Sequence, residues 1–206
     1  MTQAMTKTQL MTLEEFLEWY PDGKGRFELH NGEIIEMPAT GTHEKVVSFL
    51  ATKFGVQTEN LELPYYISRN SFVKPTDSDA SAFIPDIAVI DDRLLENEPM
   101  WKGQSLVTKG ETIPLIVEVV STNWQNDYEM KFTEYEKLGI AEYWIVDYLG
   151  LGGRRYLGNP KQPTIFVYQL VDGEYAINLF RGSDRIQSSI FPELNLTAEK
   201  IFKVGQ

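Results

Sequence analysis

The chain has 206 residues, 42% hydrophobic and 24% charged, which supplies a real core and excludes a disordered chain. Nineteen Lys and Arg against thirty Asp and Glu leave a net charge of −11, so the surface as a whole repels phosphate. Cysteine is absent, and His30 and His43 are the only histidines; this excludes disulfide frameworks, thiolate nucleophiles and Cys-based zinc or iron–sulfur sites, and leaves oxygen ligands and a hard ion such as magnesium or manganese for any metal.

The acidity sits mainly in residues 1–100, which hold eight basic and seventeen acidic side chains against eleven and thirteen in residues 101–206. The N-terminus has no apolar stretch of signal-peptide length, and no run approaches the roughly 20 apolar residues that span a bilayer. A cytoplasmic protein is expected, with one domain over residues 12–203 and a disordered N-terminal segment over 1–11.

Thr12 and Glu15, just ahead of Phe16, Leu17 and Trp19, have capping-box spacing and predict a short helix that Pro21-Asp22-Gly23 ends. Arg26 to His30, Asn31-Gly32 and Glu33 to Met37 predict a hairpin, because Asn-Gly takes the positive φ values of a type I′ turn. Thr42 is expected to cap a second helix carrying Val46, Val47, Leu50, Ala51 and Phe54, with Gly55 closing it. Extended chain follows over 61–74, then two strongly apolar strands, Pro85 to Ile90 and Pro114 to Val120. Asn126 or Asp127 is expected to start a helix with an aromatic stripe of Tyr128, Phe132 and Tyr135, stopped by Gly139. Glu142 to Asp147 reads as a core strand, and Thr164 to Phe180 as a hairpin turning at Asp172-Gly173. Between them, Gly150 to Gly153 reads as an exposed loop leading to the basic residues Arg154, Arg155 and Lys161, a candidate contact for a DNA backbone and equally an ordinary solvated loop.

Glu118 stands out. Side chains alternate along a strand, so Glu118 shares a face with Ile116 and Val120, where a core strand wants an aliphatic residue. An ionised, unpaired carboxylate there costs several kcal/mol, so it calls for a cation, a hydrogen-bond network or a raised pKa. Asp86, opening the preceding strand on the face of Ala88 and Ile90, is a common cap residue by itself. If the two strands are neighbours, Asp86 and Glu118 come within the range over which two carboxylates share a divalent ion.

These residues resemble the PD-(D/E)XK nuclease signature. The wider pattern resembles one bacterial branch of that superfamily, a putative restriction endonuclease family formerly carried as a domain of unknown function. The matching stretches are FELHNGEIIEM with His43 downstream, PDIAVID, LIVEVVST, then Asp127, Lys131 and Tyr135 on a helix, and EYWIVD. The resemblance implies an α/β, restriction-endonuclease-like fold: a mixed β-sheet core flanked by helices, with an N-terminal hairpin and C-terminal strands added. It also implies a magnesium- or manganese-dependent DNA endonuclease, acting as a homodimer.

In that family Asp86, Glu118 and the carbonyl of Val119 would hold the metal. The superfamily's lysine belongs two residues after the Glu, where this chain has Val120. In the branch it resembles, the lysine of the following helix is taken to fill the same space, and here that is Lys131. Four residues after Asp127, Lys131 equally suits a helix-surface ion pair. Glu28 falls near the family's metal pocket as a further metal or water ligand, or on the polar face of a hairpin; Glu33 fits the hairpin face better. His43 either reaches a substrate phosphate or is a polar first-turn residue. Two other classes stay open: a catalytically inactive binding or regulatory protein on the same fold, for which Val120 speaks, and a metal-dependent hydrolase of a small phosphate or nucleotide, for which the acidic surface speaks.

Overall fold

The computed structural model describes residues 10–21, 25–37 and 40–206. Helix α1 (Leu13–Trp19) starts from Thr12, whose hydroxyl accepts from Glu15 N while the Glu15 carboxylate accepts from Thr12 N, so the capping box is closed. It ends at Tyr20; Asp22 and Gly23 of the expected stop, and residues 1–9 of the expected disordered segment, lie outside the described residues. Strands β1 (Phe27–His30) and β2 (Glu33–Glu36) pair antiparallel about Asn31 and Gly32, whose φ values of 50° and 87° are both positive, as a type I′ turn requires.

Helix α2 (Gly41–Asn60) departs from expectation at both ends. Thr40, not Thr42, is its cap, with the Thr40 hydroxyl accepting from His43 N, and the helix runs straight through Gly55. A mid-helix glycine costs only about 1 kcal/mol relative to alanine. Burying Val46, Val47, Leu50 and Phe54 outweighs that, and the next residue unable to continue a helix is Pro64.

The remaining elements are β3 (Tyr65–Ser68), β4 (Phe72–Val73), β5 (Ile87–Asp91), α3 (Trp101–Gln104), β6 (Leu106–Val107), β7 (Leu115–Val119), α4 (Phe132–Leu138), β8 (Glu142–Asp147), α5 (Arg154–Leu157), β9 (Thr164–Val171), β10 (Glu174–Phe180) and α6 (Ala198–Val204). Six strands form one mixed sheet in the order β10-β9-β8-β7-β5-β3, in which β7 and β8 run parallel and every other pair is antiparallel. The parallel pair needs a crossover, and the helical stretch ending in α4 supplies it.

Alternation along β7 and β8 divides the core. Leu115, Val117, Val119, Trp144 and Val146 face α2 and α6, whereas Ile116, Val120, Tyr143 and Ile145 face Tyr128 and Tyr135 of the crossover. A third cluster, including Phe16, Leu29, Phe72, Ile84 and Leu106, fastens α1 and the β1–β2 hairpin to the small parallel pair β4–β6.

The crossover also corrects the sequence reading. It turns helical at Trp124, two residues before Asn126, and is π-wound over Asn126–Lys131 before becoming α4. Gly139, at φ 84°, ends it as expected. The expected exposed loop at Gly150 to Gly153 is instead pinned: the Asp147 carboxylate accepts from Leu151 N and Gly152 N, both at 2.8 Å, and Gly152 is buried. Arg154 and Arg155 are exposed on α5, and Lys161 is exposed beyond it. Among the described residues, no helix is long and apolar enough to cross a membrane.

Candidate active site

Strands β5 and β7 pair with Ile87 opposite Val117, so Asp86, just before β5, meets Glu118, near the end of β7. Asp86 N lies 3.4 Å from Glu118 Oε2. Asp86 Oδ2 accepts from Val119 N at 2.8 Å and is 3.1 Å from His43 Nε2, which is also 2.9 Å from the Val119 carbonyl. Both neighbours of Nε2 are acceptors, so this nitrogen carries the imidazole proton. His43 thus clasps the two strand ends from the first turn of α2.

Lys131 arrives from the opposite layer. Its side chain is fully buried, and Nζ donates to Glu118 Oε1 at 3.0 Å and to Glu28 Oε1 at 2.9 Å. The π winding turns Asp127, Tyr128 and Lys131 all inward, and such segments recur where a helix must present function rather than pack regularly. Tyr135, one turn on, donates its hydroxyl to the same Glu118 oxygen at 2.9 Å. Glu28 reaches Lys131 because Leu29 bridges Ala82, docking β1 on the chain ahead of β5. Its carboxylate accepts from Ile84 N at 2.8 Å and lies 2.7 Å from His30 Nε2. Glu28 therefore stands behind Lys131, and Glu33 is on the exposed side of the hairpin.

The carboxylates are pushed apart electrostatically. Burial drives Glu118 up to about 7; the Lys131 charge opposes this, and the Asp86 and Glu28 charges add to it. Burial likewise holds Asp127 well above the usual carboxylate range. Asp86 goes the other way: burial works against its charged form, but the hydrogen bond and charge of His43, with the Arg26 charge, keep it low. Lys131 is raised, because the charges of Glu118 and Glu28 outweigh its own burial, so it is a permanent cation. His43 is raised as well, its burial outweighed by Asp86 and the Val119 carbonyl.

Asp86, Glu118, Val119, His43 and Asp127 line one small pocket of about 30 Å³, with Arg26, Ser121, Asn123 and Asn126 on its walls. The last four were not singled out as site residues in the sequence. Arg26 lies in the hairpin entry, yet its guanidinium contacts Asp86 Oδ1 at 3.4 Å and the carbonyls of Ile84 and Pro85 at 3.2 Å; nothing local announces a partner sixty residues away. The turn residues Ser121 and Asn123 follow LIVEVV directly, and that position was the available signal.

The sequence matches the Uma2 family, described as "Putative restriction endonuclease", over residues 13–199. This chain belongs to the Uma2 family. A crystal structure described as a putative nuclease of DUF820 from Anabaena variabilis has the same fold, with a TM-score of 0.71 at 18% identity over 95% of this chain and 99% of that one. No curated protein matches the sequence.

The nuclease superfamily that the Uma2 sequence resembles works with a divalent metal, and the pocket fits a hard one. Glu118 Oε1 is saturated by Lys131 and Tyr135, while Glu118 Oε2 and Asp86 Oδ1 each have only a 3.4 Å contact. Among the described residues, no three His, Asp or Glu side chains form a ready metal cage. Magnesium does not need one: it keeps several waters and takes one or two carboxylates together with substrate phosphate oxygens.

Proposed function

We propose that this Uma2 protein is a magnesium- or manganese-dependent endonuclease that hydrolyses phosphodiester bonds in DNA. Asp86, Glu118 and the Val119 carbonyl would hold the ion, and Lys131, Glu28 and His43 complete the centre. The observation that supports this most is Lys131: although Val120 occupies the superfamily's lysine position, a buried ammonium from the next helix contacts the strand Glu.

When bound, the ion supplies Lewis-acid polarisation of the scissile phosphate and a nucleophile at neutral pH. The chain's own residues do the rest. Lys131, always protonated, donates to Glu118 from behind the pocket and adds positive charge there as negative charge develops on the phosphate. Glu28 fixes Lys131, and Tyr135 fixes Glu118, so neither functional side chain has rotamers to lose on binding. His43 holds the Asp86 carboxylate against the Val119 backbone. Overall, water adds across one P–O bond, leaving a phosphate on one strand end and a hydroxyl on the other.

The reading is tested by incubating the purified chain with single-stranded, duplex and branched DNA in magnesium, manganese or EDTA. Cleavage that needs the divalent ion and disappears in Glu118→Gln and Lys131→Met is expected. No cleavage of any substrate would overturn the nuclease reading and leave an inactive binding protein on this fold or a hydrolase of a small phosphate or nucleotide. The homodimer belongs to the same proposal, and sedimentation of a single 23.6 kDa species would remove it.

A further inference from the structure

A second cleft, of about 380 Å³, opens directly beside the acidic pocket and shares Met37, His43, Ser121 and Asn123 with it. The two differ in what they can hold. The acidic pocket, about 30 Å³, has room for little more than an ion and a water, so whatever carries the phosphate must lie outside it. The neighbouring cleft is in the range of small-molecule sites. Leu149 and Leu151 give it apolar surface above the buried Val120 and Tyr148, while Thr42, Ser121 and Asn123 supply hydroxyls and an amide. Its described lining residues include no carboxylate, although the chain carries a net charge of −11.

We infer that this cleft takes the sugar and base of a nucleotide swung out next to the scissile phosphate, so that the substrate is DNA with unpaired nucleotides rather than continuous duplex. The inference deepens the nuclease reading and rests on it. A base in duplex DNA is stacked away from the protein and cannot fill a recess of this depth; an unpaired one can, with its apolar faces on Leu149 and Leu151 and its polar edge toward Thr42 and Asn123. Leu149 is half-exposed, an unsupported apolar side chain at the mouth of a polar rim, as a base-stacking surface requires.

Charge points the same way. Continuous duplex is gripped through many phosphates by a broad basic face. Here α5, which follows the lining residue Leu151, carries the exposed Arg154 and an Arg155 paired with Glu129, and Lys161 Nζ donates to the carbonyl of Leu151 at 3.0 Å. That is a short basic flank, enough for a few phosphates of a single strand.

The test is equilibrium binding by fluorescence anisotropy, with calcium replacing magnesium so that binding is read apart from cleavage. The probes are a labelled single strand, its blunt duplex and the same duplex with one unpaired nucleotide. Binding about tenfold or more tighter to the strand and the bulged duplex than to the blunt duplex is expected. Leu149→Glu, at an exposed position, should lower it by a similar factor, the loss of about one base contact, with its melting temperature unchanged. Thr42→Glu repeats the test should Leu149→Glu fail to fold. Equal binding of the blunt duplex, or no effect of either variant, would overturn the inference, while magnesium-dependent cleavage of the same probes would still uphold the nuclease reading. Leu149-sensitive strand binding with no cleavage would uphold the cleft and remove the nuclease reading. Displacement of the strand by an equal concentration of a deoxynucleoside monophosphate would overturn the inference in favour of a free nucleotide.

Discussion

Lys131 Nζ and Glu118 Oε1 lie 3.0 Å apart although the residues are thirteen positions apart in sequence, and both side chains are buried. A surface pair at this distance would add little. Here the ammonium is the shared counter-charge of two buried carboxylates, Glu118 and Glu28, and that makes the site both structurally costly to break and chemically poised.

Replacing Lys131 by Met keeps much of the volume and leaves Glu118 and Glu28 facing each other without their cation. Breaking a buried pair in this way costs roughly 3–5 kcal/mol, so the urea midpoint at pH 7 should drop steeply. The double variant Lys131→Met/Glu28→Gln should recover part of the stability and none of the divalent-dependent cleavage. A single variant as stable as the parent would contradict the account of this triad.

Glu28 gives the stability a pH dependence of known sign. Burial opposes its charged form, but the Lys131 charge and the His30 hydrogen bond carry its pKa below the ordinary 4.5. The unfolded chain therefore binds a proton at higher pH than the folded one. Its contribution is fully present above pH 4.5 and is lost as the pH falls through the folded value. Glu28→Gln should flatten the acid side of a plot of stability against pH below about 4.5, relative to the parent; parallel curves would show that Glu28 is not held ionised.

Glu142 tests the scaffold separately from the chemistry. It lies opposite Leu115, at the end of the β7–β8 pair away from Glu118. Its buried carboxylate accepts from Ser188 Oγ, Ser189 N and Ser189 Oγ at 2.6 Å and from Trp144 Nε1 at 2.7 Å. These bonds tie the sheet to the segment carrying Phe191, which stacks on Phe54 at 5.0 Å. Glu142→Ala should cost about 3 kcal/mol or more, since several buried donors lose their acceptor. A loss below 1 kcal/mol by chemical denaturation would refute this role.

Much of the fold was legible because local signals agree with the final packing. Thr12 with Glu15, Asn31-Gly32, Asp172-Gly173 and the alternation around Glu118 each specify geometry within a few residues. The pairing of Asp86 with Glu118 also followed, from two apolar strands and the carboxylate each carries. Other features lay beyond sequence reading for identifiable reasons. Gly55 looks like a stop, yet packing of α2 on the sheet overrides its propensity. A π turn has no periodic signature distinct from the α pattern around it, so the inward set of Asp127, Tyr128 and Lys131 could not be read from spacing. Arg26 depends on a contact sixty residues along the chain, and the cleft beside the pocket is assembled from the start of α2, the turn after β7 and the end of β8.

The central claim is that Asp86 and Glu118 hold a divalent ion beside Lys131. Anomalous diffraction from a crystal soaked in manganese tests it most directly. The account predicts a single strong peak touching the Asp86 and Glu118 carboxylates and the Val119 carbonyl, and its loss in crystals of Glu118→Gln. A soaked crystal with no peak in that pocket, or with manganese only elsewhere on the surface, would contradict it.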